Sequence, residues 1–129
     1  IPESVRVYSA EPRVGDLVQM RAQVSGEEFI VKSLTTRAAT IESTTRAGYF
    51  PGAKPIAVKM LAEPGSGRVL GAQIVGEEGA GKRIDIVAVA LHAGMTVQDL
   101  VDADVGYAPP FSPLWDPVAV AARELLRSV

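Results

Sequence analysis

Apolar and polar positions alternate at the start of the chain. Residues 4–9, Ser-Val-Arg-Val-Tyr-Ser, read as a short strand. A turn at Glu11-Pro12-Arg13-Val14-Gly15 leads into residues 16–24, where Val18, Met20, Ala22 and Val24 fall on one face of a half-buried strand. Ser25-Gly26-Glu27-Glu28 has the spacing of a capping box and predicts a helix from there to about Arg37. The run Phe29-Ile30-Val31 competes with that reading, because β-branched and aromatic residues fit a pleated surface better than a helix. The helix is the preferred reading. Residues 38–44 return to strand character, and Ala47 to Ala53 form a loop with two glycines and a proline. Residues 55–62 place Ile56, Val58 and Met60 on one face and Lys59 on the other. After a tight reversal at Pro64-Gly65-Ser66-Gly67, residues 68–75 form the returning strand. Gly71 inside that strand signals a bulge or a close backbone approach.

The periodicity then changes from two to 3.6. Residues 80–94 predict the main helix, and its composition is unusual for a small domain. From Ile84 to Ala93 only Asp85 and His92 are polar, and they share one narrow stripe. Such a helix needs cover on two sides. The sheet supplies one, and a second chain is the natural source of the other. Gly94 closes the helix, Thr96-Val97-Gln98-Asp99 caps a short one to about Ala103, and Asp116-Pro117 opens a last helix to about Arg127. Val118, Val120, Ala121, Leu125 and Leu126 form its apolar face. These elements define an α+β domain, with helices on one face of a mostly antiparallel sheet.

Between the last two helices lies Gly106-Tyr107-Ala108-Pro109-Pro110-Phe111-Ser112-Pro113-Leu114-Trp115-Asp116-Pro117, with four prolines and three of the chain's seven aromatic residues. Proline lacks an N–H and fixes its own φ, and it pushes the preceding residue toward extended geometry. The segment is therefore a stiff, extended loop. Its rings must pack on the domain's own core, on a ligand or on another subunit.

Composition narrows the possible chemistry. At 129 residues the chain is one domain, and its beginning at Ile1 suggests a piece of something longer. A net charge of −2 provides no basic field for nucleic acid or an anionic membrane. No apolar stretch approaches the length of a membrane span, and no secretory leader opens the chain. The absence of cysteine excludes a thiol nucleophile, a disulfide scaffold and a cysteine metal site within the chain, and it fits a reducing, cytoplasmic setting. A single histidine, His92, excludes a multi-histidine metal cluster.

Gly76-Glu77-Glu78-Gly79-Ala80-Gly81-Lys82 has the spacing of a phosphate loop between a strand and a helix. It departs from that motif at Arg83, where a magnesium-binding Ser or Thr belongs, and Glu77 and Glu78 would repel phosphate. A flexible turn that opens a helix is the plainer reading, and a free-standing nucleotide-binding domain is the alternative. His92 reads as a structural or interface residue rather than a general base. Asp99, Asp102 and Asp104 read as capping and solvated residues rather than a metal site, because no calcium-loop turn accompanies them. Tyr49 and Tyr107 each follow a glycine and precede a proline in a rigid loop. Two readings stay open for them: buried phenols with satisfied hydroxyls, or phenols held out to meet a ligand or a reacting thiol.

Five segments in order carry a family resemblance: Arg46-Ala47-Gly48-Tyr49-Phe50-Pro51-Gly52-Ala53, Val69-Leu70-Gly71-Ala72-Gln73-Ile74-Val75-Gly76, Gly81-Lys82-Arg83-Ile84-Asp85, Ala93-Gly94-Met95-Thr96-Val97-Gln98-Asp99-Leu100 and Gly106-Tyr107-Ala108-Pro109-Pro110-Phe111-Ser112. Together they resemble the C-terminal dimerisation domain of the pyridine nucleotide–disulfide oxidoreductases, on the branch of coenzyme A-disulfide reductase, NADH oxidase and NADH peroxidase. The resemblance covers roughly residues 38–125, with the family's first strand and helix aligned to 16–37. It implies a homodimeric flavoenzyme whose FAD and NAD(P)H domains precede this segment and whose redox cysteine lies in the FAD domain. By that resemblance Tyr49 and Tyr107 reach the partner's thiol and substrate, and Pro109, Pro110 and Phe111 lie near the partner's flavin. The partner would be an identical subunit, engaged through the 80–94 helix and the 106–117 loop. The His-Pro acid–base element of the glutathione reductase branch has no counterpart here, so that mechanism is not implied. An autonomous homodimeric interaction domain is a further alternative.

Overall fold

The computed structural model describes the backbone of strands 3–8, 20–24 and 27–31, and residues 36–129 in full. Six strands precede three helices: β1 (Glu3–Tyr8), β2 (Met20–Val24), β3 (Glu27–Val31), β4 (Arg37–Thr44), β5 (Pro55–Ala62), β6 (Val69–Gly76), α1 (Ala80–His92), α2 (Val97–Asp102) and α3 (Pro117–Leu126). Four strands pair in the order β1-β6-β5-β4, antiparallel throughout, while β2 and β3 form a separate two-stranded ribbon. The α+β class with an antiparallel sheet is as the sequence implies.

The expected helix beginning at Ser25 is replaced by β3. Val24 pairs with Glu27 and Met20 with Val31, so Glu27 to Val31 lie in a strand, and the β-rich run Phe29-Ile30-Val31 prevails over the capping-box spacing. The family's first helix, aligned to 16–37, is displaced by the same ribbon. The turn at 11–15 and the parts of these segments at 9, 16–19, 25–26 and 32–35 lie outside the described residues.

Alternation builds the core. Along β5, Ile56, Val58, Met60 and Ala62 are buried and Lys59 is exposed. Across the hairpin Val58 faces Ile74 and Met60 faces Ala72, so one face of the sheet is continuously apolar. Between Leu61 and Ala62 the register shifts, leaving Leu70 as the extra residue beside Gly71, where the sequence signals a bulge. α1 covers β6 and β1, α3 covers β4 and β5, and α2 packs on α3, all on that face. Ile84, Val87 and Ala90 of α1 meet Val118, Ala121 and Leu125 of α3 in one cluster with the strands. Each buried side chain of Val or Leu size contributes about 1.5–3 kcal/mol.

α1 is not apolar all round. Lys82, Asp85 and His92 are exposed, and they share that outer stripe with Val89, which is 63% exposed. Ala80, Arg83, Ile84, Val87 and Ala90 are buried, and Ile86 and Leu91 are partly buried against the same core. Gly79 at its N-cap takes φ 90°, a left-handed conformation that a side chain would strain.

The short helix α2 is held by its cap. The Thr96 side chain accepts from the Asp99 N–H at 3.2 Å, and the Asp99 carboxylate accepts from the Thr96 N–H at 2.7 Å and hydroxyl at 2.8 Å. These bonds, the backbone one foremost, hold the Asp99 carboxyl below its ordinary range. A depressed carboxyl stabilises the fold above its unfolded pKa, and that contribution fades as pH falls through the lower folded value. Thr96→Ala is expected to lower stability by about 1 kcal/mol, read from the urea midpoint. Part of the cost should vanish in strong acid, where Asp99 is neutral in both forms.

Candidate functional site

Two loops meet at one end of the helical layer. The first, residues 45–54, leaves β4 and returns to β5, with Gly52 at φ 81° in its turn. The second is the proline-aromatic loop, residues 106–116. Their facing positions run antiparallel in steps of two. Thr45 and Phe111 are joined because the Arg83 Nη2 donates to both carbonyls, at 3.4 and 2.9 Å. Ala47 donates its N–H to the Pro109 carbonyl at 3.1 Å. At the outer end the phenol oxygens of Tyr49 and Tyr107 lie 3.2 Å apart.

Tyr49 is 77% exposed and Tyr107 44% exposed, so the phenols are satisfied by each other at the surface, not by burial. That observation removes the buried reading left open by the sequence. Each phenol carries one O–H. One hydrogen bond between them uses one of the two protons, so the pair can still donate one outward. The bond to Tyr49, then desolvation, raises the Tyr107 pKa above the ordinary value of about 10 and keeps its phenol protonated. Tyr107 is therefore a neutral phenol across the physiological range.

Phe111 is also 77% exposed, with Leu114 and Trp115 exposed beyond it. Pro109 and Pro110 are half-buried and stiffen the loop behind it. The Trp115 ring lies under the Arg123 guanidinium, 4.3 Å from its carbon, a stack that contributes about 0.5–1 kcal/mol at an exposed site. The cavity lined by Thr45, Arg46, Glu78, Gly79, Pro110 and Phe111 measures about 70 Å³, room for little more than a water or two. The site is a presenting surface, not a container.

Arg46 braces the first loop. Its Nη1 donates to the Pro51 carbonyl at 3.2 Å and its Nη2 to Glu78 Oε2 at 2.8 Å. Glu78, in the segment spaced like a phosphate loop, is thereby engaged. Lys82 Nζ sits 2.9 Å from Asp85, one turn further along α1. Arg83 turns into the protein. With Arg83 inside the protein and Glu77 and Glu78 exposed at the turn, the segment is the turn that opens α1.

Arg83 and Asp116 are the residues that sequence reading undervalues. Arg83 Nε lies 2.9 Å from Asp116 Oδ2, with both side chains about nine-tenths buried. Asp116 Oδ1 accepts from the Val118 N–H at 2.8 Å, which is the expected N-cap, and Ser112 Oγ approaches Oδ2 at 3.4 Å. The signal that points to them is an arginine on the inward stripe of an apolar helix. Such a charge needs a buried partner. His92 is exposed, Asp99 caps α2, and Asp102 accepts from Gln98. Among the described residues no His, Cys, Asp and Glu cluster could hold a metal ion, and no helix is long and apolar enough to cross a membrane.

The family described as the pyridine nucleotide-disulphide oxidoreductase dimerisation domain matches residues 18–118. The NAD(P)H coenzyme A polysulfide/persulfide reductase of Pyrococcus horikoshii is 41% identical over 98 residues, covering 76% of this chain and 22% of the relative. The coenzyme A disulfide reductase of Staphylococcus epidermidis is 39% identical over 72 residues, 56% of this chain and 16% of the relative. The structure of a NAD-dependent persulfide reductase from A. fulgidus superposes with a TM-score of 0.69 at 42% identity, over 71% of this chain and 17% of that one. The chain thus spans about a fifth of the length of these proteins.

Proposed function

This chain belongs to the dimerisation-domain family of the pyridine nucleotide-disulphide oxidoreductases, and from that membership we propose that it completes, in trans, the active site of an FAD-dependent NAD(P)H reductase of small disulfides or persulfides. The observation that carries the proposal is the phenol pair: two tyrosines from separate loops, hydrogen-bonded at 3.2 Å on an exposed rim. The chain has no cysteine of its own, so a thiol that meets this pair comes from other parts of the protein or its partner. The coenzyme A-linked substrates in the names of the relatives suggest a coenzyme A disulfide or persulfide.

The flavin and the nucleotide would be held by the domains outside this chain. Their chemistry is the relay of electrons from NAD(P)H to the redox thiol. The exposed Phe111 ring, stiffened by Pro109 and Pro110, offers a flat apolar cover to a flavin held elsewhere, and the small cavity beside it is no room for one. The free O–H of the Tyr49–Tyr107 pair would donate to a sulfur that gains negative charge as its S–S bond breaks. Val89 on α1, together with Phe111, Leu114 and Trp115, would pack against the identical subunit through the 80–94 helix and the 106–117 loop.

Tyr107→Phe in the intact flavoenzyme is the direct test. Removing one hydrogen bond to a charged sulfur costs about 1.5–3 kcal/mol, roughly ten- to a hundred-fold in turnover. Tyr49→Phe should cost a similar amount, and the two together little more than either alone, because the pair acts as one donor. Turnover and dimerisation unchanged in both single variants would leave the phenols without a role.

A further inference from the structure

The proposed function leaves Arg83 unused, although its guanidinium reaches both loops of the site. We propose that Arg83 is the positioning residue of the phenol pair: its guanidinium fixes the spacing of the two loops and so sets the distance between Tyr49 and Tyr107. The proposal rests on the reading of those phenols as the working groups, but its own content is a geometry that can be measured separately.

Three ties join the loops in register: the Arg83 Nη2 at Thr45 and Phe111, the backbone bond from Ala47 to Pro109, and the phenols themselves. Arg83 makes the innermost tie, four residues before Tyr49 and four after Tyr107. A single nitrogen serves both carbonyls, so the loops cannot separate at that end without breaking one of the bonds. The guanidinium is itself held in a fixed plane. Its Nε is gripped by Asp116 Oδ2, and Asp116 is anchored to the first turn of α3 through the Val118 N–H. α1 and α3 thereby fix the geometry of two loops that neither helix contains. A lysine could supply the charge but not the planar fork. This also accounts for the arginine in a segment otherwise spaced like a phosphate loop: the side chain faces inward, toward the loops.

Two substitutions separate positioning from simple core stability. Arg83→Met with Asp116→Asn removes both buried charges together and keeps an N-cap acceptor for α3. Arg83→Lys keeps the charge and loses the fork. The readout is the titration of Tyr107 in the intact enzyme labelled with fluorotyrosine, with the two resonances assigned from Tyr49→Phe and Tyr107→Phe. In the wild type Tyr107 titrates above an ordinary tyrosine because Tyr49 bonds to it. Tyr49→Phe should bring it down, and both Arg83 variants should move it in the same direction. Turnover of the double variant should fall to the level of Tyr107→Phe, roughly ten- to a hundred-fold, and adding Tyr107→Phe to it should lower turnover no further.

An unmoved Tyr107 titration in a folded double variant would overturn the proposal, and so would a wild-type titration in Arg83→Lys. Should the double variant fail to fold, the titration in Arg83→Lys decides the matter alone. The reading of the phenols fails in a different way: Tyr107→Phe would keep full turnover while the titration still responded to Arg83.

Discussion

Mixing an inactive and a strongly impaired variant of the intact protein is expected to restore turnover if this chain completes its partner's site as proposed. One parent lacks the redox cysteine that the proposed function places outside this chain, and keeps both tyrosines. The other keeps the cysteine and carries Tyr49→Phe with Tyr107→Phe. If the phenols act in trans, each mixed dimer holds one complete site, the tyrosines of the first subunit serving the thiol of the second. With free subunit exchange half the dimers are mixed, and each has one working site of two, so activity should reach about a quarter of wild type. If the tyrosines served their own subunit's thiol, no mixed dimer would hold a complete site, and activity would stay at the sum of the parents. The physical case for the first outcome is exposure. A phenol that is 77% exposed, beside a cavity of about 70 Å³, has no enclosed site of its own to work in. The same loop that carries Tyr107 also exposes Phe111, Leu114 and Trp115, apolar surface of the kind that a subunit interface buries. Isolating the mixed dimers by two affinity tags keeps lost dimerisation from imitating the negative result.

Much of this arrangement is legible in the sequence, and the reasons differ from one element to the next. The hairpin of β5 and β6 is legible because strict alternation in Ile56, Val58 and Met60 coincides with a glycine-rich reversal, two signals that agree. The last helix is legible because Asp at the N-cap followed by Pro at the first helical position is a strong start signal. β3 is misread because a local capping pattern and a local β-rich run conflict there, and pairing with β2 decides between them; pairing is a non-local property that spacing cannot report. The apolar character of α1 suggests an uncovered face wider than the one found, because Ile86 and Leu91 find partial cover against the core of sheet and helices. At the site, glycine and proline placement singles out Tyr49 and Tyr107 as residues of rigid loops. Their meeting is invisible in sequence, since 58 residues separate them and the register that joins them is made by Arg83 and a backbone bond.

Asp116→Ala should be strongly destabilising. Asp116 does two things at once: Oδ1 caps α3 through the Val118 N–H, and Oδ2 neutralises Arg83 in a place where both side chains are about nine-tenths buried. Loss of the cap costs about 1 kcal/mol. The larger cost is the charge left behind. Burying an uncompensated guanidinium after its partner is removed typically costs about 3–5 kcal/mol, because the group has lost water and gained nothing in exchange. The Arg83 Nη2 bonds to Thr45 and Phe111 would remain available, but two carbonyl dipoles do not balance a full charge. Asp116→Asn separates the two roles. It keeps the cap and a neutral acceptor, so its cost should fall between those of wild type and alanine. Asp85→Asn serves as the surface control. Its pair with Lys82 is equally short at 2.9 Å but largely exposed, and an exposed ion pair contributes little. The measurement is the urea midpoint at constant slope, with the order expected to run wild type and Asp85→Asn together, then Asp116→Asn, then Asp116→Ala. An Asp116→Ala protein as stable as the Asp85→Asn control would mean that Arg83 finds another partner, and that the knot holding the two loops is looser than its geometry implies.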